Sequence, residues 1–446
     1  MSINILPKCA KFKNIKTLQS WNFYRLISDS VVFTAVDRSP SIPLGQTNPL
    51  KQGKLRVQLL KSPSHLGHST SRVNRAYNED KYSAKVLTIN DKEILNFNIF
   101  DGHGGDECSI YLTENLAENV ENGDNLIKTK KAREDLIKKY VKNIGGYWRR
   151  WSKHREKTFE TWQNNRLNLK NFKKELKQDD LNFRIPLTFL KTDYDFFQNN
   201  TKSGSTCTSI FLQTIYSNST KKFQPFFENY YFNRNTISKL TIAHLGDTRA
   251  IIVDKNGLAN GVTDDHHPSN PLESTRLRRY AANFFMTDSF GEERFISLAN
   301  TRSFGDIDYK EVGVTAEPDI IQLIVGDSTE IKKQLTPDEI QKYTIGGLGG
   351  DECFLVLCTD GVTNILTDQE IADIIMTQHK KLGNKATPQI CAQEVIKFVE
   401  FVGGDDNATI LVIRLNGWGN WPNLDRTGEL RQSRLDDFNP RRGGSG

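Results

Sequence analysis

The chain has 446 residues, of which 37% are hydrophobic and 26% are charged, and its formal net charge is +6. This composition predicts one large domain that buries a substantial core as a monomer, and it excludes an extended or mostly disordered protein. No apolar run approaches the roughly 18 residues that span a bilayer. The six cysteines lack CxxC spacing and the density of a secreted scaffold, so we expect reduced thiols.

The N-terminal segment differs from the rest of the chain. Residues 1–28 contain no Asp or Glu but include five basic residues, Lys8, Lys11, Lys13, Lys16 and Arg25. A basic, acid-free segment with interspersed apolar residues is typical of a mitochondrial transit peptide. We therefore expect residues 1–30 to direct the protein to mitochondria. The alternative is an ordinary basic tail on a cytoplasmic protein.

Two predicted strands in the first quarter of the chain adjoin acidic turns. The apolar run Ile94–Phe100 leads directly into the turn Asp101–Gly105, which reads Asp-Gly-His-Gly-Gly. The acidic cluster Asn78–Asp80 precedes the strand-like segment Tyr82–Ile89. Either turn alone could be ordinary turn or capping chemistry.

A second segment stands out by its charge. Residues 128–178 contain 17 Lys or Arg against 5 Asp or Glu, a net charge of +12. Apolar residues recur at helical spacing and predict an amphipathic helix: Leu136, Ile137, Tyr140, Val141 and Ile144. The tryptophans among the charges are Trp148, Trp151 and Trp162.

Several interpretations of residues 128–178, which we call the basic insert, remain open. It could contact nucleic acid, dock an acidic protein or an anionic membrane surface, or form the solvated face of a structural helix. We expect no dedicated nucleic-acid binding.

Later in the chain, short strands and helices alternate. The segment Ala250–Val253 and the turn that follows it predict a hairpin, and Asp368–Ile375 and Pro388–Phe398 predict helices. Residues Val325–Gly350 end in a glycine run. This run lacks the Lys-Ser/Thr ending of a phosphate-binding loop, so we expect a flexible connector. The pattern favours largely antiparallel sheets covered by helices, an α+β fold.

Two further acidic turns lie near the end of the chain. The strand-like run Phe354–Thr359 ends at Asp360, and Asp405–Asn407 leads into Ala408–Ile413. Together with the two earlier turns, carboxylates at strand ends with little Cys or His nearby favour hard cations such as Mg2+ or Mn2+ over zinc.

At this point the chain resembles the type 2C family of metal-dependent serine/threonine phosphatases, and in particular its fungal mitochondrial members. The matching motifs follow the family's order: Arg75–Asp80, Asp101–Gly105, Gly204–Cys207, Ala243–Ala250, Thr263–Pro268, Leu298–Asp306, Thr315–Asp319, Asp360–Gly361 and Asp406–Asn407. Ordered matches across roughly residues 65 to 415 are far more specific than one motif. The resemblance implies a central antiparallel β-sandwich flanked by α-helices, in four layers ordered αββα.

The resemblance also implies a site for two Mg2+ or Mn2+ ions. Asp101 would bridge the metals, with the Gly102 carbonyl on one of them and Asp360 and Asp406 on the other. Asp80 would belong to the metal set through metal-bound water. A two-metal site generates hydroxide near neutral pH and neutralises charge on the phosphoryl oxygens.

Other residues receive supporting roles from the same resemblance. Glu79 and Asn407 would surround the metal ligands without bonding the metals directly. His103 would be the general acid that protonates the leaving serine or threonine oxygen, although a lone His at a turn can be a plain surface residue. Arg75 would bind the phosphate, and Arg72, one turn away, is the competing candidate.

One residue departs from the family pattern. Where many members have an aspartate for a third metal, this chain has Asn364, while its partner Asp247 is present. Asparagine keeps an oxygen ligand but removes a charge, so we expect a third metal to bind more weakly here than in those members. His266 and His267 could ligate a metal by residue type, but the family treats the first of them as structural.

The resemblance and the local composition together divide the chain into segments. Residues 31–62 would be a linker, 63–415 the catalytic domain, 416–442 a surface tail, and 443–446 an artificial linker.

The predicted activity is hydrolysis of phosphoserine and phosphothreonine by attack of a water that bridges two metals. The substrates would be mitochondrial phosphoproteins, with the pyruvate dehydrogenase complex as the leading candidate by analogy. The alternative is an inactive phosphatase-like scaffold that binds a partner through the basic insert.

Overall fold

The computed structural model describes residues 65–148, 180–199, 201–218, 231–281, 285–287, 293–296 and 298–438, and the backbone of two strands at 30–34 and 52–56. All but the last residue of the predicted targeting segment, residues 1–30, lies outside the described residues, as do Trp151 and Trp162. None of the described helices is long and apolar enough to cross a membrane.

The described strands in chain order are β1 (Ser30–Thr34), β2 (Gln52–Arg56), β3 (Leu66–Ser71), β4 (Lys81–Ile89), β5 (Lys92–Phe100), β6 (Gly102–His103), β7 (Gly204–Ser205), β8 (Cys207–Ser217), β9 (Thr236–Leu245), β10 (Arg249–Val253), β11 (Ala259–Gly261), β12 (Phe285–Thr287), β13 (Glu293–Phe295), β14 (Phe304–Gly305), β15 (Asp319–Gly326), β16 (Phe354–Cys358) and β17 (Ala408–Arg414). The described α-helices are α1 (Glu107–Glu121), α2 (Asp124–Lys128), α3 (Lys130–Asn143), α4 (Leu181–Phe196), α5 (Pro271–Ala281), α6 (Ile307–Lys310), α7 (Ser328–Gln334), α8 (Pro337–Tyr343), α9 (Asp360–Thr363), α10 (Asp368–Leu382), α11 (Pro388–Phe401) and α12 (Gly428–Asp437).

Two five-stranded antiparallel sheets form the centre of the fold. The first has the strand order β11-β10-β16-β17-β3, and the second has the order β15-β9-β8-β5-β4. Strands such as β17, which reads Ala-Thr-Ile-Leu-Val-Ile-Arg, are apolar on both faces because each sheet is covered on both sides. The first and last strands of the domain, β3 and β17, are neighbours, with Leu66 opposite Ile413 and Ser71 opposite Ala408.

The apolar core is divided among the layers. One cluster, with Leu357 and Phe97, fills the space between the two sheets. A second joins the first sheet to α10 and α11, and a third joins the second sheet to α1 and α4. The predicted αββα sandwich is therefore confirmed, and so are the hairpin after Ala250 and the helices near residues 368 and 388.

The start of the basic insert is part of this core. Helix α3 buries Leu136, Ile137 and Tyr140 as predicted, and its apolar cluster includes Trp148, which is 0% exposed. Trp148 therefore has no exposed ring with which to stack on a base.

Three expectations need correction. Residues 325–350 are not a flexible connector: Asp327 caps α7, and Thr336 with Glu339 forms a capping box on α8. Trp418, in the predicted surface tail, packs against Phe354 at 5.7 Å between ring centroids, because its large ring completes the first-sheet core. The predicted linker, residues 31–62, includes β2 and all of its partner β1 except Ser30, and residues 31–34 of β1 are all β-favouring.

Candidate active site

A small three-stranded sheet brings distant motifs together at one end of the sandwich. Its order is β14-β7-β6, with His103 opposite Gly204 and Gly204 opposite Gly305. Asp306 follows β14 directly and has a left-handed backbone, φ +52°. The middle strand thus separates the predicted general acid from Asp306 by a single glycine.

Gly204 permits contact across that middle strand. His103 Nε2 lies 2.9 Å from Asp306 Oδ2 and 3.0 Å from Oδ1. A Cβ at Gly204 would lie 2.3 Å from His103 Nε2 and 2.4 Å from Asp306 Oδ2, so His103 and Asp306 would have to move apart to admit any side chain there. The Gly-Ser-Thr strand start therefore contains its glycine for a steric reason.

Asp306 determines the electrostatics of His103. Burial alone would lower the pKa of His103, but the hydrogen bond to Asp306 and its charge raise that pKa above its ordinary value. Asp306 also accepts a hydrogen bond from Ser303 Oγ at 2.5 Å, so its carboxylate is held on two sides. The imidazole is accordingly oriented and favoured in its protonated form.

The predicted metal ligands form one cluster of mutually repelling carboxylates. Burial, followed by the charge of Asp247, raises the pKa of Asp360 to about 8. Burial and the neighbouring carboxylates, Asp360 foremost, raise the pKa of Asp101 well above its usual range. Such shifts mark buried acidic groups that repel one another at close range.

Asp80 lies deepest in this cluster. Its Oδ2 accepts hydrogen bonds from Thr359 Oγ1 at 2.8 Å and Thr409 Oγ1 at 2.7 Å, while its buried Oδ1 has no hydrogen-bond partner. Burial raises the pKa of Asp80 to about 7 even though both threonines lower it. Thr359 follows β16 and Thr409 belongs to β17, so the two central strands of the first sheet fix this carboxylate.

The oxygen-only donors fit a hard divalent cation. Oδ1 of Asp80 and Oδ1 of Asp247 are buried without hydrogen-bond partners, and a cation would relieve the repulsion among the carboxylates. Across the described residues, however, no three Asp, Glu, His or Cys side chains are arranged as a preformed cage around one ion. A cation held here would need ligands beyond side chains, such as water or the Gly102 carbonyl.

The two candidate arginines differ in exposure. Arg75 is 58% exposed, and its Nη2 lies 2.8 Å from Asp406 Oδ2, at the edge of the carboxylate cluster. Arg72 is buried, and its Nη1 donates to the Arg75 carbonyl at 2.8 Å. Arg75 is thus the guanidinium within reach of a ligand, and Arg72 supports its loop.

Glu79 and Asn407 bond to backbone. Glu79 Oε1 accepts from the Gly105 N–H at 2.7 Å, and Asn407 Oδ1 accepts from the Glu79 N–H at 2.8 Å. Asn407 Nδ2 also donates to the carbonyls of Arg72 and Tyr77. These contacts tie the segment containing Arg75 and Asp80 to the turn before β17.

The residues proposed for a third metal have other neighbours. Asn300 Nδ2 donates to Asp247 Oδ2 at 2.8 Å, and Asn364 Nδ2 lies 3.3 Å from Asp360 Oδ2. His266 stacks on His244 at 4.9 Å between ring centroids and contacts Asp319 at 3.0 Å. His266 is therefore a buried structural residue, and His267 bonds locally to Ser269.

Sequence reasoning gave Asp306 no individual role, although it lies in the recognised block Leu298–Asp306. Its pairing with His103 depends on the register of β6, β7 and β14, which sequence spacing does not reveal. Glu273 was also missed: it is buried between Arg276 and Arg302, and these two guanidinium groups hold its pKa well below the usual range although burial opposes them.

Known proteins similar to this chain point to one family. The family model for Protein phosphatase 2C matches residues 146–331 and 342–407. Protein phosphatase 2C homolog 4 of Schizosaccharomyces pombe is 33% identical over 397 residues, which cover 87% of this chain and 89% of that protein. The chain belongs to the protein phosphatase 2C family.

As a member of this family, the chain is a protein serine/threonine phosphatase, as its motifs predicted. The protein phosphatase 1K, mitochondrial, of Xenopus laevis is 26% identical over 386 residues, covering 84% of this chain and 74% of that protein. Among solved structures, a phosphatase from a pathogenic strain of Toxoplasma gondii has a TM-score of 0.50 and 16% identity, and covers 79% of this chain and 94% of that one. A C. elegans sex determining protein has a TM-score of 0.51 and 15% identity, and the match covers 84% of this chain and 67% of that protein's chain. The two solved structures support the shared fold.

Proposed function

We propose that this phosphatase hydrolyses phosphoserine and phosphothreonine at the carboxylate cluster beside His103. The observation that supports this most is the convergence of Asp80, Asp101 and Asp360 beside a His paired with Asp306. When bound, two Mg2+ or Mn2+ ions would supply a water of lowered pKa and neutralise phosphoryl charge. Asp101, the Gly102 carbonyl, Asp360 and Asp406 would hold these ions, and Asp80 would orient their water.

The protein's own residues would complete the reaction. The Arg75 guanidinium, exposed at the rim, would bind phosphoryl oxygens through its planar fork. His103, oriented by Asp306, would donate the proton that the leaving serine or threonine oxygen requires. Glu79 and Asn407 would keep the Arg75–Asp80 segment in place.

The experiment is hydrolysis of a phosphothreonine peptide by purified protein with Mn2+ or Mg2+, and then with EDTA. We expect metal-dependent turnover that vanishes with chelator and in Asp101→Asn, and a slower rate in His103→Gln. A folded wild-type protein that is inactive with every metal would instead favour the scaffold that binds a partner through its basic insert. An unchanged rate in His103→Gln would exclude its general-acid role.

We further propose that the protein acts in mitochondria. The acid-free basic segment at residues 1–28 and the mitochondrial name of a relative support this proposal. Fusing residues 1–30 to a fluorescent protein should direct it to mitochondria, and cytoplasmic fluorescence would contradict the proposal. The pyruvate dehydrogenase complex is the first substrate to test, by comparing its phosphorylation in cells with and without this protein.

The exposed face of α3 offers a docking surface for acidic segments of substrate. Lys131, Lys138 and Lys139 are exposed, whereas the opposite face is buried in the core. A peptide with acidic residues beside its phosphothreonine should have a lower KM than a neutral peptide at low salt, and the advantage should shrink with added salt. Equal KM values for the two peptides at low salt would remove this role.

A further inference from the structure

A buried polar chain connects the insert helix α3 to the catalytic His103. It begins at Tyr140, whose hydroxyl donates a 2.6 Å hydrogen bond to Asp193 Oδ2. Tyr140 and Asp193 are 1% and 0% exposed, so water cannot replace this bond. The two residues come from α3 and α4, which face each other across the insert's apolar cluster.

Asp193 binds the loop that contains Asp306. Its Oδ1 accepts the backbone N–H of Gly305 at 2.8 Å, and its Oδ2 lies 3.2 Å from the buried Lys310 Nζ. Lys310 Nζ also donates to the carbonyl of Ser303 at 2.7 Å. Both anchor points, at residues 303 and 305, belong to the turn that ends in Asp306.

The series of polar contacts then reaches the active site. Ser303 Oγ donates to Asp306 Oδ2, and Asp306 contacts His103 Nε2. A second contact reinforces the same link, because a Cβ added at Gly145 would lie 2.6 Å from the carbonyl oxygen of Lys310. The turn after α3 therefore packs directly on the helix that supplies the lysine.

We infer that Tyr140 is a positioning residue: its hydroxyl, through Asp193, fixes the turn 303–306 and so the hold of Asp306 on His103. Asp193 accepts hydrogen bonds from the neutral Tyr140 hydroxyl and from the Gly305 N–H. Its Oδ2 also lies beside the Lys310 ammonium group. Removing one donor from a buried carboxylate leaves it under-satisfied, and the remaining partners shift to compensate. The insert would thus affect catalysis through its core side as well as through its basic face.

This inference rests on the proposed general-acid role of His103. The variant is Tyr140→Phe, which keeps the ring that packs against Trp148 and Phe197 and removes only the hydroxyl. The matched control is Tyr194→Phe, which removes a hydroxyl from the neighbouring position on α4. Among the described residues, the Tyr194 hydroxyl accepts a hydrogen bond from Asn143 and makes none with Asp193.

Two substrates separate positioning of the acid from general damage. A phosphothreonine peptide has a poor leaving group that needs a proton, whereas p-nitrophenyl phosphate releases a phenolate that does not. We expect Tyr140→Phe to lower kcat on the peptide about tenfold, with KM within about twofold and less than about a twofold loss on p-nitrophenyl phosphate. The control should match wild type on both substrates.

A spectroscopic readout supports the kinetics independently of turnover. In protein labelled with 15N-histidine, the Nε2 resonance of His103, assigned from its absence in His103→Gln, should move in Tyr140→Phe and stay in place in Tyr194→Phe. An unmoved resonance, or equal losses on both substrates, would overturn the inference while leaving the proposed function intact. Absence of metal-dependent activity in wild type would instead overturn the proposed function.

Discussion

Thr409 Oγ1 donates a hydrogen bond of 2.7 Å to Asp80 Oδ2, although 329 positions separate the two residues. The bond orients a carboxylate whose other oxygen faces the acidic cluster without a partner. Residues that orient a metal site from outside typically change metal affinity by about 10–100-fold when lost.

Thr409→Val removes this hydroxyl at nearly constant shape. We expect the Mn2+ concentration for half-maximal activity to rise about tenfold, with kcat at saturating Mn2+ within about threefold. Titration of activity with Mn2+ measures both. Thr377→Val, on α10 and away from the cluster, is the control and should leave the titration unchanged.

Gly204→Ala tests the contact between His103 and Asp306. Its Cβ would meet both side chains at under 2.5 Å, so they must separate. We expect kcat on a phosphothreonine peptide to fall by about 100-fold or more, the usual contribution of a general acid. Gly146→Ala is the matched control, because nothing lies within 4 Å of the added methyl group. Equal activity in the two variants would contradict the importance of the pair.

Asn364→Asp should destabilise the metal-free protein but strengthen its binding of metal. It replaces a donor 3.3 Å from Asp360 with another negative charge, so the metal-free protein should melt a few degrees lower. The added ligand charge should lower the Mn2+ concentration for half-maximal activity by roughly threefold to tenfold. The matched control is Asn416→Asp, because Asn416 also lies 3.3 Å from an aspartate, Asp351, but outside the site. This control should leave the Mn2+ concentration for half-maximal activity unchanged.

Glu352 makes stability depend on pH. It is buried beside the Gly326 N–H, and burial raises its pKa from 4.5 to about 7. Because the folded pKa lies above the unfolded one, its contribution to stability is fully present below about pH 4.5 and is lost as the pH rises through about 7. The difference amounts to at most about 3 kcal/mol.

Urea unfolding of Glu352→Gln and wild type at pH 5 and pH 8 measures this effect. The variant should gain stability relative to wild type at the higher pH. A variant at the exposed Glu429, Glu429→Gln, should show no such gain. If the stability difference between Glu352→Gln and wild type were the same at both pH values, the effect would not come from Glu352.

The carboxylates at strand ends could be predicted because the signal is local: an apolar run followed at once by Asp101 or Asp360 marks both strand and turn. The antiparallel sheets followed from the pattern of short strands and turns, and the four-layer sandwich followed from the family resemblance. The pairing of His103 with Asp306 was not predictable from spacing, since it depends on three strands lying side by side with Gly204 in the middle.

Two other differences have physical causes. The capping box of Thr336 and Glu339 is visible in the sequence, but the glycine run after it suggested flexibility. The glycine loop, in which Gly349 and Gly350 are buried, instead has positive φ at Gly346, Gly347, Gly349 and Gly350, a conformation that glycine adopts without strain. Trp148 looked like a stacking residue because basic neighbours surround it in sequence, whereas its ring faces the core.

The pairing of β3 with β17 has a consequence for how the protein is made. Asp80, Asp101 and His103 leave the ribosome early, but Thr409, which orients Asp80, is synthesised more than 300 positions later. A growing chain therefore contains several residues of the proposed site without the strand whose Thr409 orients Asp80. Catalytic competence should begin only when β17 has been made and joins the sheet, so a phosphatase interrupted during synthesis would be inactive rather than unregulated.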